Sequence, residues 1–122
     1  MWAKKSSFAI GALLMLFCAA KAALATGEDT NQAIEYMLAY VARSDCAFIR
    51  NGQSYDAQQA AAHLRSKRSY FKAQIHTPED FIRLAASKSL ASGRPYLVRC
   101  DATVMPAADW LNQELATFRR QP

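Results

Sequence analysis

Two cysteines constrain this chain more than any other feature. Of the three in the sequence, Cys18 falls in an N-terminal stretch laid out like an export signal. That leaves Cys46 and Cys100, an even pair in a chain bound for an oxidising compartment. One disulfide between them is the expectation. A reactive thiol would want a base nearby to depress its pKa, and neither cysteine has a histidine within ten residues.

The signal itself has three parts. A basic start, Met-Trp-Ala-Lys-Lys, leads into the apolar run FAIGALLMLFCAA and then into ALA, whose Ala23 and Ala25 suit a signal peptidase. The run is shorter than the roughly 20 residues a membrane-spanning helix needs. Cys18 is preceded by Leu16 and Phe17 rather than small residues, which argues against lipid attachment. Residues 1–25 are thus expected to be a signal peptide cleaved after Ala25. Residues 26–122 then form a single periplasmic domain with no membrane span. Cleavage removes Lys4, Lys5 and Lys21, so the formal net charge of +5 falls to +2. The basic excess belongs largely to the targeting segment and is no footprint for nucleic acid. A domain this small keeps much of its surface wet, and a covalent staple helps it.

Along the remaining chain the apolar spacing alternates between two periods. Ile34, Met37, Leu38 and Val41 recur at helical intervals, predicting a helix over about 29–43. Cys46 to Arg50 alternates as a strand, and Asn51-Gly52 is a strong hairpin turn, with a brief return strand to Tyr55. Asp56 reads as an N-cap for a helix over about 57–72, with Ala60, Ala61 and Leu64 on its apolar stripe. Thr77, Pro78 and Asp80 open another helix in near capping-box form. Gly93 is available for a left-handed turn, and the run RPYLVRC reads as a strand. Antiparallel to the first strand, it would set Cys100 beside Cys46. Pro106 is expected to start the last helix, with Leu111, Leu115 and Phe118 on its apolar face. The fold class is therefore α+β: about four helices packed on a small antiparallel sheet of two to three strands, one domain with one disulfide.

Four stretches, FIRNG, AAAHLRSK, IHTPEDFI and ASKSLASGRPY, occur in this order between Phe48 and Tyr96. In them the chain resembles the YfeK-like family, small exported bacterial proteins whose domain has no assigned function. The resemblance implies a periplasmic α+β domain and no reaction.

The candidate chemistry is sparse. His63 and Lys67 stand one helical turn apart on the same flank, a spacing suited to an anion site or to a general base beside a cation. Ser87, Lys88, Ser89, Ser92, Gly93 and Arg94 offer hydroxyls, flexible backbone and cations, as a bound anion would require. His63, His76 and Asp80 match no recognised ligand spacing, so neither metal nor cofactor is expected. Two functional classes remain. One is a non-catalytic envelope module that takes a protein partner or a small anionic ligand. The other is a small periplasmic hydrolase using His63 with Asp56 or Ser54.

Overall fold

The computed structural model describes residues 28–122, so the expected signal peptide and Cys18 lie outside the described residues. Helix α1 (Thr30–Arg43) is capped by Asp29, whose carboxylate accepts from the Gln32 amide at 3.1 Å. Its Ala33, Ile34, Met37, Leu38 and Val41 are all 0 % exposed, which makes it the helix around which the core is built. It ends at Ser44, whose amide and hydroxyl both donate to the Val41 carbonyl.

Strands β1 (Ala47–Arg50) and β2 (Gln53–Tyr55) form the expected hairpin. Asn51 and Gly52 sit at φ of 52° and 78°, the paired left-handed geometry that matches the twist of the flanking strands. Helix α2 (Ala57–Tyr70) opens with a full capping box between Asp56 and Gln59. It stops two residues short of the expected 72, and a short 3-10 turn over Lys72–Gln74 follows. Helix α3 (Pro78–Ala85) has a second capping box, between Thr77 and Asp80.

Strand β3 (Leu97–Cys100) pairs antiparallel with β1, placing Val98 opposite Phe48. Two residues further along this register, Cys46 faces Cys100. The two form a disulfide with Cα atoms 4.5 Å apart, the spacing of directly opposed residues in an antiparallel pair.

The sheet has four strands, in the order β2-β1-β3-β4, where two or three were expected. The extra strand is β4 (Thr103–Pro106), and Pro106 closes it before α4 (Ala107–Arg119) begins. Asp101, at φ 56°, makes the tight turn that sends the chain back along β3. Asp tolerates that region better than most residues, but an Asp-Ala pair is a weaker turn signal than Asn-Gly. Because β4 is a mostly exposed edge strand, no apolar alternation marks it either.

Tyr55, Phe48, Val98 and Met105 line up across the four strands as one row. Phe48 and Val98 are buried in the common core with α1 and α4. Alternation turns Ser54, Arg99 and Val104 to the opposite, exposed face. The helices thus cover one face of the sheet. Among the described residues no helix is long and apolar enough to cross a membrane.

Candidate functional site

Between the helix-facing side of the β1–β2 hairpin, helix α2 and the first turns of α4 lies a pocket of about 190 Å³. Phe48, Leu64, Trp110 and Leu111 supply apolar wall, and Arg50, Tyr55, His63 and Tyr96 supply its polar groups. Each element contributes for a local reason. Arg50 follows Phe48 by two along β1, so the pleat turns both side chains to the same face. Tyr96 leads into β3 two residues before the buried Val98. His63 lies on α2 one turn beyond the buried Ala60. Phe48 meets Trp110 edge to face with ring centroids 5.5 Å apart, a preferred aromatic geometry.

A hydrogen-bonded relay runs behind the polar edge. The Lys67 ammonium, in a residue only 7 % exposed, donates to the Lys88 carbonyl at 2.8 Å and to the Tyr96 hydroxyl at 3.0 Å. The Tyr96 hydroxyl also lies 3.0 Å from His63 Nε2. A phenol oxygen that accepts from Lys67 still has its proton to give, and donating it to His63 satisfies both groups. That makes Nε2 the acceptor and leaves the ring proton on Nδ1. The Lys67 ammonium also sits 4.8 Å from the Tyr96 ring centroid. Burial, followed by the positive charges of Arg50 and Lys67, pushes the His63 imidazole below its ordinary value. Burial and then Arg50 push Lys67 down as well. Burial raises the Tyr96 phenol, with Arg50 drawing it partly back. Tyr96 therefore works as a protonated hydrogen-bond donor, and His63 as a neutral base engaged at Nε2.

Of the residues singled out from the sequence, the fold brings His63 and Lys67 together as the helical spacing implied. The serine-rich stretch makes a separate structure. Ser87 donates to the Ile82 carbonyl at the end of α3. Ser89, 5 % exposed, accepts from the Ala91 amide and from the Asn51 side chain. Ser92 bonds Asn51 as well, and its hydroxyl receives the Arg94 amide. These hydroxyls close the loop and dock it on the hairpin turn, while Lys88 contributes its carbonyl to Lys67 and the Arg94 residue is exposed. Gly93, at φ 75°, supplies the left-handed bend expected of it.

The partners envisaged for a His63 hydrolase are elsewhere. Ser54 points to the far side of the sheet, and the Asp56 carboxylate accepts from the Gln59 amide at 2.8 Å as a helix cap. Asp80 is likewise engaged, by the amides of His76 and Thr77 and by Arg83. Among the described residues no three His, Cys, Asp or Glu side chains converge as a metal set would.

Sequence reasoning missed Arg50, Tyr55, Tyr96 and Trp110. Arg50 carried a readable signal, because the alternation that puts Phe48 in the core also puts Arg50 on that face. Tyr96 carried the same signal through its spacing of two from Val98, whereas Trp110 carried none, since only the folded chain brings α4 to this pocket.

A family model described as a family of unknown function, DUF5329, matches residues 28–119. The chain belongs to this DUF5329 family. All the pocket residues lie within the matched span. The chain is also similar to the uncharacterized protein YfeK of Salmonella typhimurium, strain LT2, at 39 % identity over 54 residues. That match covers 44 % of this chain and 45 % of the relative, so the likeness spans less than half of either. No solved structure matches.

Proposed function

We propose that the protein is an exported, non-catalytic binding module that takes a small molecule in the pocket between α2 and the β1–β2 hairpin. The observation that carries this reading is the pocket's composition: an apolar, aromatic-walled recess with a few polar groups gathered at one side, the usual make-up of a ligand site. Export is supported by the basic and apolar start of the sequence and by the disulfide, which suits an oxidising compartment such as the periplasm. A hydrolase is disfavoured by the positions of Ser54 and Asp56 and by the bond from Tyr96 to His63 Nε2.

A protein-observed NMR screen of small apolar acids, amides and amines against the disulfide-bonded protein tests the binding role. The expected result is a set of binders that shift the Trp110 indole resonance. Binders that leave Trp110 unmoved would place the site elsewhere and refute the reading. Hydrolysis of an ester in a His63-dependent way would return the molecule to the enzymes. N-terminal sequencing of protein recovered from the periplasm tests export, with a start at Thr26 expected. A start at Met1, or absence from that compartment, would contradict it.

A further inference from the structure

The polar side of the pocket is lined by two basic groups, Arg50 and His63, with Lys67 behind them through Tyr96, and among the described residues no acid lines it. The Arg50 guanidinium donates to the Tyr55 hydroxyl at 3.1 Å and lies 5.0 Å from the centroid of that ring. Lys67 donates only to neutral oxygens, the Lys88 carbonyl and the Tyr96 hydroxyl. His63 meets the same hydroxyl. The ion pairs among the described residues are made by other cations, Arg65, Arg68, Arg83 and Arg119. A buried charge is ordinarily paired, because leaving it alone in a poorly hydrated site is costly. Here the buried Lys67 ammonium has only a carbonyl and a phenol as partners, and the half-buried Arg50 weighs against the charge of both His63 and Lys67. An anion admitted among them would relieve that repulsion.

The size and walls of the pocket narrow the choice of anion. Its 190 Å³ somewhat exceeds the roughly 150 Å³ that accommodates a benzene ring. It falls below the roughly 300 Å³ at which sites for drug-sized ligands begin. Phe48 and Trp110 would gain nothing from an inorganic phosphate, whereas a ring or short alkyl chain covers them. The planar fork of an arginine matches a carboxylate.

We propose that the pocket binds a small monocarboxylate, an aromatic or short aliphatic acid. Its apolar body rests against Phe48 and Trp110, and its carboxylate meets Arg50 and His63. Lys67 and Tyr96 stand behind as positioning residues: Lys67 polarises the Tyr96 hydroxyl, which holds the imidazole. This rests on the binding reading above and adds the charge and size of the ligand.

Calorimetric titration of the disulfide-bonded full chain with benzoate and hexanoate, each beside its neutral amide, tests the class. The acids are expected to bind at least about tenfold more tightly than the amides, the margin of one charge-assisted hydrogen-bonded contact. Arg50→Gln should erase that margin, and Arg50→Lys should restore part of it. Acid and amide binding equally, with Arg50→Gln neutral to both, would refute the carboxylate and leave the pocket standing. No binding by either series would refute the pocket itself. Inorganic phosphate binding as well as benzoate would refute the role of the apolar walls.

Discussion

The arginines on the helix surfaces and the basic groups at the pocket are treated in opposite ways. Arg119, near the end of α4, meets Glu28 at 2.7 Å and Glu79 at 2.7 Å, tying the last helix to the start of the described chain and to α3. Hydrogen bonding to Arg119 holds the Glu79 carboxyl below its ordinary value despite the upward push of burial. Arg65 and Arg68 share Glu35 between α2 and α1. At the pocket, His63 and Lys67 meet at the Tyr96 hydroxyl and Arg50 bonds Tyr55, and among the described residues none of the three has an acidic partner. The paired cations join elements and ask nothing further of the solution. The others lie near enough that Arg50 disfavours the charge of both His63 and Lys67, a cost that the proposed anionic ligand would relieve.

The largest effect expected is on the scaffold that carries the second region. The disulfide joins β1 to β3, the strands that bear Arg50 and lead from Tyr96, and it closes a loop with a sequence separation of 54. The double variant Cys46→Ser, Cys100→Ser should lose about 4 kcal/mol in the chain-entropy description. Its melting temperature by circular dichroism should fall by roughly 20 °C. A fall of only a few degrees would show that packing alone positions the strands.

Next comes Lys67. If its charge serves a ligand rather than the fold, Lys67→Met keeps the buried stem and should stay within about 1 kcal/mol of the wild type in urea denaturation. Lys67→Ala, which also loses the packing of the stem, should cost roughly 2 kcal/mol. Equal losses in both variants would make the ammonium a structural staple and erase the contrast with Arg119.

Arg119→Ala should be milder still. Its side chain is 40 % exposed, and exposed ion pairs contribute little, so less than about 1 kcal/mol is expected, with carboxylate binding unchanged. A loss of carboxylate affinity in this variant would mean that the two regions are not independent.

The smallest effect is a pH dependence. The folded state resists protonation of His63 while the unfolded chain does not, so the contribution is fully present above the ordinary imidazole value of 6.5. It is lost as the pH falls from there toward the lowered folded value. His63→Gln should flatten this part of the stability curve, above the range in which Glu35 and Glu79 titrate. An unchanged slope would show that the imidazole is not held neutral.

Much of the scaffold was legible because its signals are local. Asn51-Gly52 dictates a hairpin through backbone conformations those two residues tolerate. Asp56 and Thr77 announce their helices through bonds spanning three residues. The strand β4 was not legible, since its side chains are mostly exposed and its turn depends on one aspartate. For the site, helical spacing alone placed His63 beside Lys67, but it did not reveal that Lys67 would be the more buried of the two. That burial follows from the loop carrying Lys88 and from Tyr96, 29 residues away in sequence. The same distance explains why the serines looked like an anion site: their use by Asn51 and the loop amides exists only once the chain has folded.

The contrast between paired and unpaired cations comes down to the charge that His63 senses. Its imidazole pKa can be followed by NMR in the free protein, with saturating benzoate and with saturating benzamide. In the free protein it should lie below the ordinary value, because of burial and the neighbouring Arg50 and Lys67. Benzoate should raise it by bringing a negative charge among the imidazole and the two cations Arg50 and Lys67, and benzamide should not. An imidazole that titrates identically with and without benzoate would contradict the assignment of these groups to an anionic ligand.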